Sequence, residues 1–498
     1  MALRIAAIAD THYAGGSLEH CGARRTAIAD TLLLRAVHRL NRFIKPDLTV
    51  VLGDLTDDGS REAHERLADI LSKLKSPYVV LPGNHDGDPD EFYGIYQRPA
   101  QTLDINGARV VTFTDPEQPG YNARRAPTDL ARMDAARSGH DGPIISLQHV
   151  PLFPPGASAS PYGYTNADEV WAAFERSGFT LAISGHWHAG DDLISRAAGR
   201  AIIVPALCES PFAFMEIEID GDSVQTRRHE LCLPREQNLI DYHVHTPFAY
   251  CSENMDMPLA FGLAGEFGLG GFSFVEHSGQ LYFDPHTFWA NEFLTDGIAT
   301  QHGRDERMLA YVQQASEFCP PAYLGLEIDC DDSGNPVLYP EDMARTQIHV
   351  GAIHWLQELR KPEPDLDVAA DEMLGRLSRF LGCGLQILAH PLRVFRKWPE
   401  RLPPALIPGI LTLLRKHNVA AEINFHIQET SPEFVTACVD AGVKLTFGSD
   451  SHNLYEVGEF YPHLELIRRC GFAPGDLPAI MADIRPTIDD PAHLEVHR

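Results

Sequence analysis

Short apolar runs alternate with helical stretches along the first half of the chain. Apolar runs with the β-rich composition of buried strands lie at residues 3–9, 48–52, 78–81, 144–147, 180–184, 201–206, 212–219 and 224–229. The stretch at 24–44 carries apolar residues at helical spacing, and the stretch at 61–75 is predicted as a polar helix. This alternation predicts an α/β fold.

The second half repeats the pattern with a more regular alternation. Predicted strands lie at residues 239–241, 271–275, 323–328, 348–353, 385–388, 419–423 and 443–447. Predicted helices between them include 306–318, 368–381 and 405–417. Such an alternation predicts a parallel, barrel-like α/β domain with its site at the C-terminal rim.

A short polar stretch that contains a proline separates the halves at residues 233–238. Stretches of this kind are typical of linkers. With 498 residues, the chain is also too long for one ordinary core. We therefore expect domains at residues 1–232 and 239–498, joined by this linker.

Polar residues follow the predicted strands of the first half almost every time. They are Asp10, His12, Asp54, Asn84, His149, His186 and His188. Singly, an Asp after a strand often caps a turn, and a lone His is usually a structural residue. Together they are metal-ligand types along one edge of a sheet, where α/β folds bind ligands, so they predict a metal centre there.

These residues carry a resemblance to a known family. Asp10-x-His12, Gly53-Asp54, Gly83-Asn84-His85-Asp86, His149 and Gly185-His186-x-His188 resemble the five blocks of calcineurin-like metallophosphoesterases, with the cyclic-nucleotide phosphodiesterase branch as the nearest match. The resemblance covers residues 1–230 and implies an α/β sandwich with two divalent ions, of Mn, Fe or Zn. It implies one ion on Asp10, His12 and His188 and another on Asn84, His149 and His186. Asp54 would bridge the two, and His85 would act on the substrate phosphate as the catalytic residue.

The second half resembles the PHP (polymerase and histidinol phosphatase) family. The matching motifs are Asp241-x-His243-x-His245-Thr246, Glu276-His277-Ser278, Gly325-x-Glu327, His354-Trp355, Ala389-His390-Pro391 and Asp450-x-His452. The resemblance implies a distorted (β/α)7 barrel with two to three divalent ions, of Zn, Mn or Fe. It implies that His243, His245, Glu327 and Asp450 hold the first ion. Glu327 would bridge to a second ion on His354 and His390, and His277 and His452 would help to hold a third.

Three features leave alternatives open. Several PHP members have a histidine where this chain has Cys251. Cys251 could itself bind a soft metal, Glu253 could serve as the ligand instead, or the third metal site could be weak. Arg393 could contact phosphate or form an ordinary surface ion pair. In the loop at residues 150–165, aromatic side chains could stack on a base or pack the loop down; these are Phe153, Tyr162 and Tyr164.

Composition narrows the choice of partner and compartment. The formal net charge of −28 is a poor match for a long nucleic acid, whose binding normally needs a basic patch. The 9 scattered cysteines, never spaced as Cys-x-x-Cys, favour reduced thiols in a cytoplasmic protein. No apolar run has the length of a membrane span, so we expect no membrane partner. The sequence is compatible with an oligomer.

The sequence therefore predicts a metal-dependent phosphoesterase with two catalytic domains. The first would hydrolyse a small phosphodiester, with a cyclic nucleotide as one candidate, and the second a phosphomonoester or another diester. One alternative is a nuclease acting on short nucleic acid. Another is a phosphodiesterase in which one domain serves as a regulatory sensor.

Overall fold

The computed structural model describes residues 2–15, 22–197, 199–291, 293–298 and 306–485. The end of the predicted second domain, 486–498, lies outside these residues. The chain divides into two compact units, Met1–Cys232 and Leu233–Arg498. In the part of the chain that is described, no helix combines the length and the apolar composition that a bilayer crossing requires.

The N-terminal unit is built from two sheets. Its strands are β1 (Leu3–Ile8), β2 (Leu48–Leu52), β3 (Tyr78–Leu81), β4 (Thr102–Ile105), β5 (Ala108–Thr112), β6 (Glu117–Gln118), β7 (Asn122–Ala123), β8 (Ile144–Leu147), β9 (Leu181–Ser184), β10 (Asp191–Arg196), β11 (Gly199–Ile203), β12 (Ala213–Asp220) and β13 (Ser223–Glu230). Its helices are α1 (Ala29–Arg39), α2 (Arg61–Leu71), α3 (Pro89–Phe92), α4 (Pro127–Ala135) and α5 (Ala167–Arg176). One sheet has the order β13-β12-β1-β2-β3 and the other β10-β11-β9-β8-β5-β4, and β6 pairs with β7.

The two larger sheets pack face to face. Alternate residues of β1 share one buried apolar cluster with alternate residues of β9, such as Ile5 and Ile183. This follows from the period of two in a strand, which turns every second side chain to the same face. On the opposite face of the second sheet, Trp171 and Phe174 of α5 pack against Ile144. The unit is an α/β sandwich.

The sandwich changes one expectation about where the site lies. The sequence placed all polar strand ends along one edge of a single sheet, but β1, β2 and β3 belong to one sheet and β8 and β9 to the other. Donors therefore come from adjoining edges of two sheets. The sequence analysis also missed β4, β5 and β10.

The C-terminal unit holds one parallel sheet of seven strands. The strands are β14 (Ile240–Val244), β15 (Gly271–His277), β16 (Tyr323–Asp329), β17 (Ile348–Ala352), β18 (Ile387–Leu388), β19 (Ala420–Asn424) and β20 (Leu445–Gly448), paired in that order. The helices are α6 (Met257–Glu266), α7 (Ser278–Tyr282), α8 (Pro285–Ala290), α9 (Phe293–Asp296), α10 (Glu306–Ser316), α11 (Pro340–Met343), α12 (Leu366–Phe380), α13 (Leu406–His417), α14 (Pro432–Ala441), α15 (Tyr461–Arg469) and α16 (Leu477–Ile480).

The seven strands form a nearly closed barrel. Val244, the last residue of β14, pairs with Ser451, just beyond β20, in an isolated parallel bridge. The Asp450 N–H donates to the His243 carbonyl at 2.8 Å. The buried Asp241 carboxylate accepts from the Ser449 N–H at 2.9 Å, which also joins the first strand to the last. Near-closure gathers the polar strand ends around one rim.

Candidate metal centres

Several predicted ligands adopt left-handed backbone conformations just beyond a strand. Asp10, His12, Asp54 and His186 have φ between 46° and 69°. Residues with a Cβ rarely adopt this conformation, and it costs about 1–3 kcal/mol at a typical site. Such conformations persist where the surrounding structure holds them, and they cluster at functional sites. Here they turn donor side chains back towards the space between the two sheet edges.

The first donor group of the N-terminal unit is Asp10, His12 and His188. The Nε2 atoms of His12 and His188 are 3.1 Å apart, and Asp10 Oδ1 lies 3.8 Å from His188 Nε2. Asp10 Oδ1 is buried and accepts no hydrogen bond from any described residue. His188 Nδ1 donates to Glu209 Oε1 at 2.6 Å, which leaves Nε2 free to face the other donors. A ligating histidine commonly has its second nitrogen held in this way.

The second donor group is Asn84, His149 and His186. His149 Nε2 lies 3.0 Å from His186 Nδ1 and 3.3 Å from Asn84 Oδ1. The other ring nitrogens donate to backbone carbonyls, His149 Nδ1 to Leu52 at 2.6 Å and His186 Nε2 to Tyr121 at 3.0 Å. Both imidazoles therefore present one free nitrogen to the same small volume.

Asp54 lies between the two groups. Its Oδ2 is 3.6 Å from His12 Nε2 and 3.4 Å from His149 Nε2, while Oδ1 accepts from the His85 N–H at 2.9 Å. This close packing depends on Gly83, where an added Cβ would lie 2.2 Å from Asp54 Oδ1. One carboxylate oxygen thus faces both donor groups.

Burial and mutual charge shift the pKa values of these groups. Burial raises the pKa of Asp10 to about 6 and lowers the pKa of His12 to about 2. Burial alone would lower the pKa of His149, but the Asp54 and Asp10 carboxylates outweigh it and raise the pKa to about 9. In the metal-free protein, His149 therefore carries a proton that a bound cation would displace.

His85 lies beside the first donor group, and its ring centroid is 4.7 Å from that of His12. Its Nδ1 donates to the Asp57 carbonyl at 2.8 Å, so Nε2 is the nitrogen left for other partners. The Asp57 side chain also lies 3.2 Å from His12 Nδ1 and accepts from Arg24 at 2.8 Å. Asp57 thus orients His85 through its carbonyl, and its side chain lies beside His12.

In the C-terminal unit, the donors converge on Glu327. Its Oε2 lies 3.5 Å from the Nε2 atoms of both His243 and His245. Its Oε1 lies 3.0 Å from His390 Nε2 and 3.2 Å from His354 Nε2. Asp450 Oδ1 completes the Oε2 side, 3.1 Å from His245 Nε2 and 3.5 Å from His243 Nε2. The two oxygens of one carboxylate thus face two different donor groups.

A third group lies beside the first. The Cys251 sulfur is 3.1 Å from His452 Nε2 and 3.7 Å from His277 Nε2. Burial alone would raise the pKa of Cys251, but His277 outweighs it and lowers the pKa. On its other side, His277 Nδ1 lies 2.6 Å from Glu327 Oε2 without hydrogen-bond geometry. Cys251, and not Glu253, is therefore the residue close to both histidines; Glu253 accepts from Asn453 Nδ2.

Acidic residues orient the histidines of the C-terminal unit, as Glu209 does in the other. Glu422, Glu276 and Asp329 accept from the Nδ1 atoms of His243, His245 and His354, at 2.7, 3.1 and 2.9 Å. The sequence analysis gave no role to Glu422, Asp329, Glu209 or Asp57. Glu422 left a signal, since it is a carboxylate inside the apolar strand β19. Asp329 also left a signal, since it directly follows the predicted strand at 323–328, whereas Glu209 and Asp57 follow from no local pattern.

Arg393 forms a buried ion pair with Asp450 and donates to Asn424 Oδ1 at 2.8 Å. The expectation of a surface ion pair at this position is therefore wrong. Its Nε has no hydrogen-bond partner in the structure. Arg393 and His390 line a cavity of about 410 Å³ beside the donors.

The donor atoms suit divalent cations. In the described part of the chain, groups with ligand atoms all within 4.8 Å of one another include Asp10–His12–His188, Asp54–His149–His186, His243–His245–Asp450 and His245–His277–His452. Imidazoles paired with carboxylates fit Zn, Mn or Fe alike. Buried carboxylate oxygens without a hydrogen bond, Asp10 Oδ1 and Glu327 Oε2, point to the same conclusion, because such atoms are costly unless something positive satisfies them.

Comparisons with known proteins agree with this chemistry in the N-terminal unit. Residues 3–190 match the model of the calcineurin-like phosphoesterase family. A cAMP/cGMP dual specificity phosphodiesterase from Mycobacterium tuberculosis is 29% identical over 159 residues, which cover 29% of this chain and 49% of the relative. The chain spans 58%, 58% and 49% of the lengths of three curated relatives that it matches.

Two solved structures are similar at low identity. A dimetal phosphatase from Danio rerio is 17% identical with a TM-score of 0.38, over 45% of this chain and 98% of that one. A candidate histidinol phosphatase from Listeria monocytogenes is 17% identical with a TM-score of 0.34, over 45% of this chain and 99% of that one. The family match and the donor geometry together identify residues 3–190 as a calcineurin-like phosphoesterase domain.

Proposed function

We propose that the N-terminal unit hydrolyses a small phosphodiester at a dinuclear metal centre. The observation that carries the proposal is Asp54, whose Oδ2 faces His12 and His149 at 3.6 and 3.4 Å. Two ions bound there would supply a hydroxide nucleophile at neutral pH and stabilise the charge of the phosphoryl oxygens. Asp10, His12 and His188 would hold one ion, Asn84, His149 and His186 the other, and Asp54 both.

The protein's own groups orient the substrate and move the proton. Glu209 and the Leu52 carbonyl fix the ring orientations of His188 and His149, so that neither ligand has to reorganise. The Asp57 carbonyl accepts from His85 Nδ1 and so turns Nε2 towards the substrate. As an imidazolium, His85 would donate from Nε2 to a phosphate oxygen or protonate the leaving oxygen. We assign His85 as the catalytic residue of this centre.

A cyclic nucleotide is the substrate class that the relatives support. The mycobacterial relative is named for activity on cAMP and cGMP, and a relative from Vibrio vulnificus, 24% identical over 175 residues, is named a cyclic adenosine monophosphate phosphodiesterase. Both act on small diesters. The net charge of −28 also favours a small substrate over a long polyanion.

We propose that the C-terminal unit is a PHP barrel, which spans 239–498 after a linker at 233–238. We propose that this barrel carries a second phosphoesterase site, which acts on a phosphomonoester. Glu327 supports this, because its two oxygens separate a His243–His245–Asp450 group from a His354–His390 group. Divalent ions there would supply Lewis-acid stabilisation of a phosphoryl group. The cavity beside Arg393 offers room for the alcohol portion of the substrate.

The third ion of this barrel would be held by Cys251, His277 and His452. A thiolate in place of a third imidazole shifts the preference of this site towards Zn²⁺, because thiolate is a soft ligand. The lowered pKa of Cys251 supports a thiolate at this position. The two sites together would convert a diester to a monoester and then to free phosphate.

A phosphorus NMR time course tests both sites. Full-length protein loaded with Mn²⁺ is given 3′,5′-cyclic AMP, and we expect a monoester signal followed by free phosphate. Asp54→Asn should abolish the first step, and Glu327→Gln should let the monoester accumulate. Diester cleavage at the wild-type rate in Asp54→Asn would show that another site performs it.

The remaining outcomes separate the two proposals. If wild-type protein stops at the monoester while Glu327→Gln alters only the rate of diester cleavage, the C-terminal unit is a regulatory module. If neither compound changes with Mn²⁺, Fe²⁺ or Zn²⁺, the phosphodiesterase proposal is refuted.

A further inference from the structure

Two tyrosine rings stand beside the N-terminal metal centre. Tyr121, in the turn between β6 and β7, is 57% exposed, which is unusual for a large aromatic side chain. Tyr162 lies in the loop after His149, and its ring meets the His186 ring edge-on at a centroid distance of 4.6 Å. The Tyr121 and Tyr162 rings are perpendicular, at 89°, with centroids 6.4 Å apart. We call this pair the aromatic corner.

The aromatic corner is tied to the metal centre through the backbone. The Tyr121 carbonyl accepts from His186 Nε2 at 3.0 Å, so the turn that exposes the tyrosine ring also orients a candidate ligand. Tyr121 has a φ of 59°, a conformation that is rare for a bulky residue and that needs support from its surroundings. The backbone of Tyr121 thus stands at a fixed position relative to His186.

The two loops that carry the corner are joined firmly. The Gly163 N–H donates to Asn122 Oδ1 at 3.1 Å, and the Thr165 N–H donates to the Ala123 carbonyl at 2.8 Å. Tyr164 is buried, and its hydroxyl donates to Asp115 Oδ2 at 2.6 Å. A preorganised surface of this kind loses little entropy when a ligand binds.

The structure separates the aromatic residues of this region into two roles. Tyr164 is buried in the ion-pair network around Asp115, and Phe153 packs against the buried apolar cluster under the loop. Those two hold the loop down, as one of the alternatives from the sequence had it. The Tyr162 ring contacts His186, and the Tyr121 ring contacts Tyr162. Tyr121 was given no role from the sequence.

We propose that the aromatic corner is a nucleobase-binding subsite of the N-terminal centre, so that the substrate is a nucleotide with a purine or pyrimidine base. This rests on the phosphodiesterase function proposed above. In a cyclic nucleotide one ribose separates the base from the phosphate, so a phosphate at the donor groups brings the base near the adjacent rings. Every base offers a π face, so stacking accepts any base and favours the larger purines. The subsite selects nucleotides over diesters that lack a base.

The test compares two substrates that differ only in the base. Full-length Mn²⁺-loaded protein is assayed with 3′,5′-cyclic AMP and with the 3′,5′-cyclic phosphate of 1-deoxyribose, which lacks the base. We expect Tyr121→Ala and Tyr162→Ala each to raise KM for cyclic AMP about 5- to 150-fold, the range that corresponds to one stacked base. We expect KM for the base-free substrate to rise far less than KM for cyclic AMP, and Phe at either position to recover most of the lost affinity.

A matched control separates stacking from a general loss of an aromatic ring. Tyr78 is also an exposed tyrosine of this unit, at 39%, and it begins β3, at the end of the strand opposite the donors. Tyr78→Ala should leave both substrates as in wild-type protein. Metal content is measured for every variant, because Tyr162 contacts His186.

The outcomes distinguish the subsite from the reaction. If both alanine variants weaken the two substrates equally, or if neither weakens cyclic AMP, the subsite is refuted while the phosphodiesterase function stands. If wild-type protein hydrolyses neither substrate, the phosphodiesterase function is refuted. Calorimetric binding of the same two compounds then decides the subsite, and equal affinity for both would overturn it.

Discussion

Replacing Gly83 by alanine is expected to disable the N-terminal metal centre. An added Cβ would lie 2.2 Å from Asp54 Oδ1 and 2.4 Å from the Asp54 backbone nitrogen. Carbon atoms of this kind essentially never approach other atoms within 3.0 Å, so Asp54 or the loop at Gly83 has to move by about 1 Å. The nitrogen is a backbone atom, so rotation of a side chain cannot relieve the contact. The movement therefore reaches the carboxylate that faces both donor groups.

The magnitude follows from that displacement. A misplacement of about 1 Å in a catalytic arrangement costs roughly 100-fold in rate, which corresponds to about 2.7 kcal/mol of activation free energy. We expect kcat/KM for a phosphodiester to fall by at least this factor. The metal content of the N-terminal unit should fall as well, because the bridging ligand is the residue displaced.

The assay compares Gly83→Ala with Gly375→Ala. Gly375 lies inside α12, and an added Cβ there meets no atom within 4 Å. Neither glycine has a left-handed φ, and both replacements restrict the unfolded chain equally. Gly375→Ala should keep wild-type activity and gain up to about 1 kcal/mol of stability. Wild-type metal content and turnover in Gly83→Ala would refute the assignment of Asp54 as the bridging ligand.

Three further predictions concern the donors themselves. His85→Ala should lower turnover about 100- to 10,000-fold without changing metal content, because His85 acts on the substrate and not on the ions. Kinetics together with mass spectrometry of the bound metals checks this. Wild-type turnover would contradict the role of His85. Glu327→Gln should remove metal from the donor groups on both sides of Glu327, while the N-terminal unit keeps its ions. Loss of one ion alone from the C-terminal unit would contradict a bridging role for Glu327. Adding Mn²⁺ to metal-free protein at pH 7.5 should release protons, because the pKa of His149 is raised to about 9 and the cation displaces that proton. An indicator dye measures the release, and its absence at pH 7.5 would contradict the proton on His149.

Much of the fold could be predicted from the order of apolar runs. The predicted strands at 48–52, 78–81 and 144–147 coincide with β2, β3 and β8, because a buried strand needs a continuous apolar run and a turn to end it. The edge strand β10 was missed since most of its residues are exposed or half-buried, and it lacks such a run. The division of the first half into two sheets was also missed, because pairing joins strands that are distant in the chain.

The residue types of the site were determined by the sequence alone. Polar groups directly after buried strands cannot be justified by apolar burial, so their positions indicated metal ligands before any pairing was known. The tertiary structure decided which donors meet. Asp54 and His149 come from different sheets, and only the packing of those sheets brings His149 Nε2 within 3.4 Å of Asp54 Oδ2.

The tertiary structure alone decided how the donors are held. Glu209 reaches His188, and Glu422 reaches His243 from a strand at the other end of the parallel sheet, although no local pattern links either pair. The contact between the Tyr121 carbonyl and His186 likewise follows from no local pattern. A local pattern encodes burial and backbone conformation, which depend on near neighbours. Contacts across a fold depend on strand order and register, which arise only when distant segments pair.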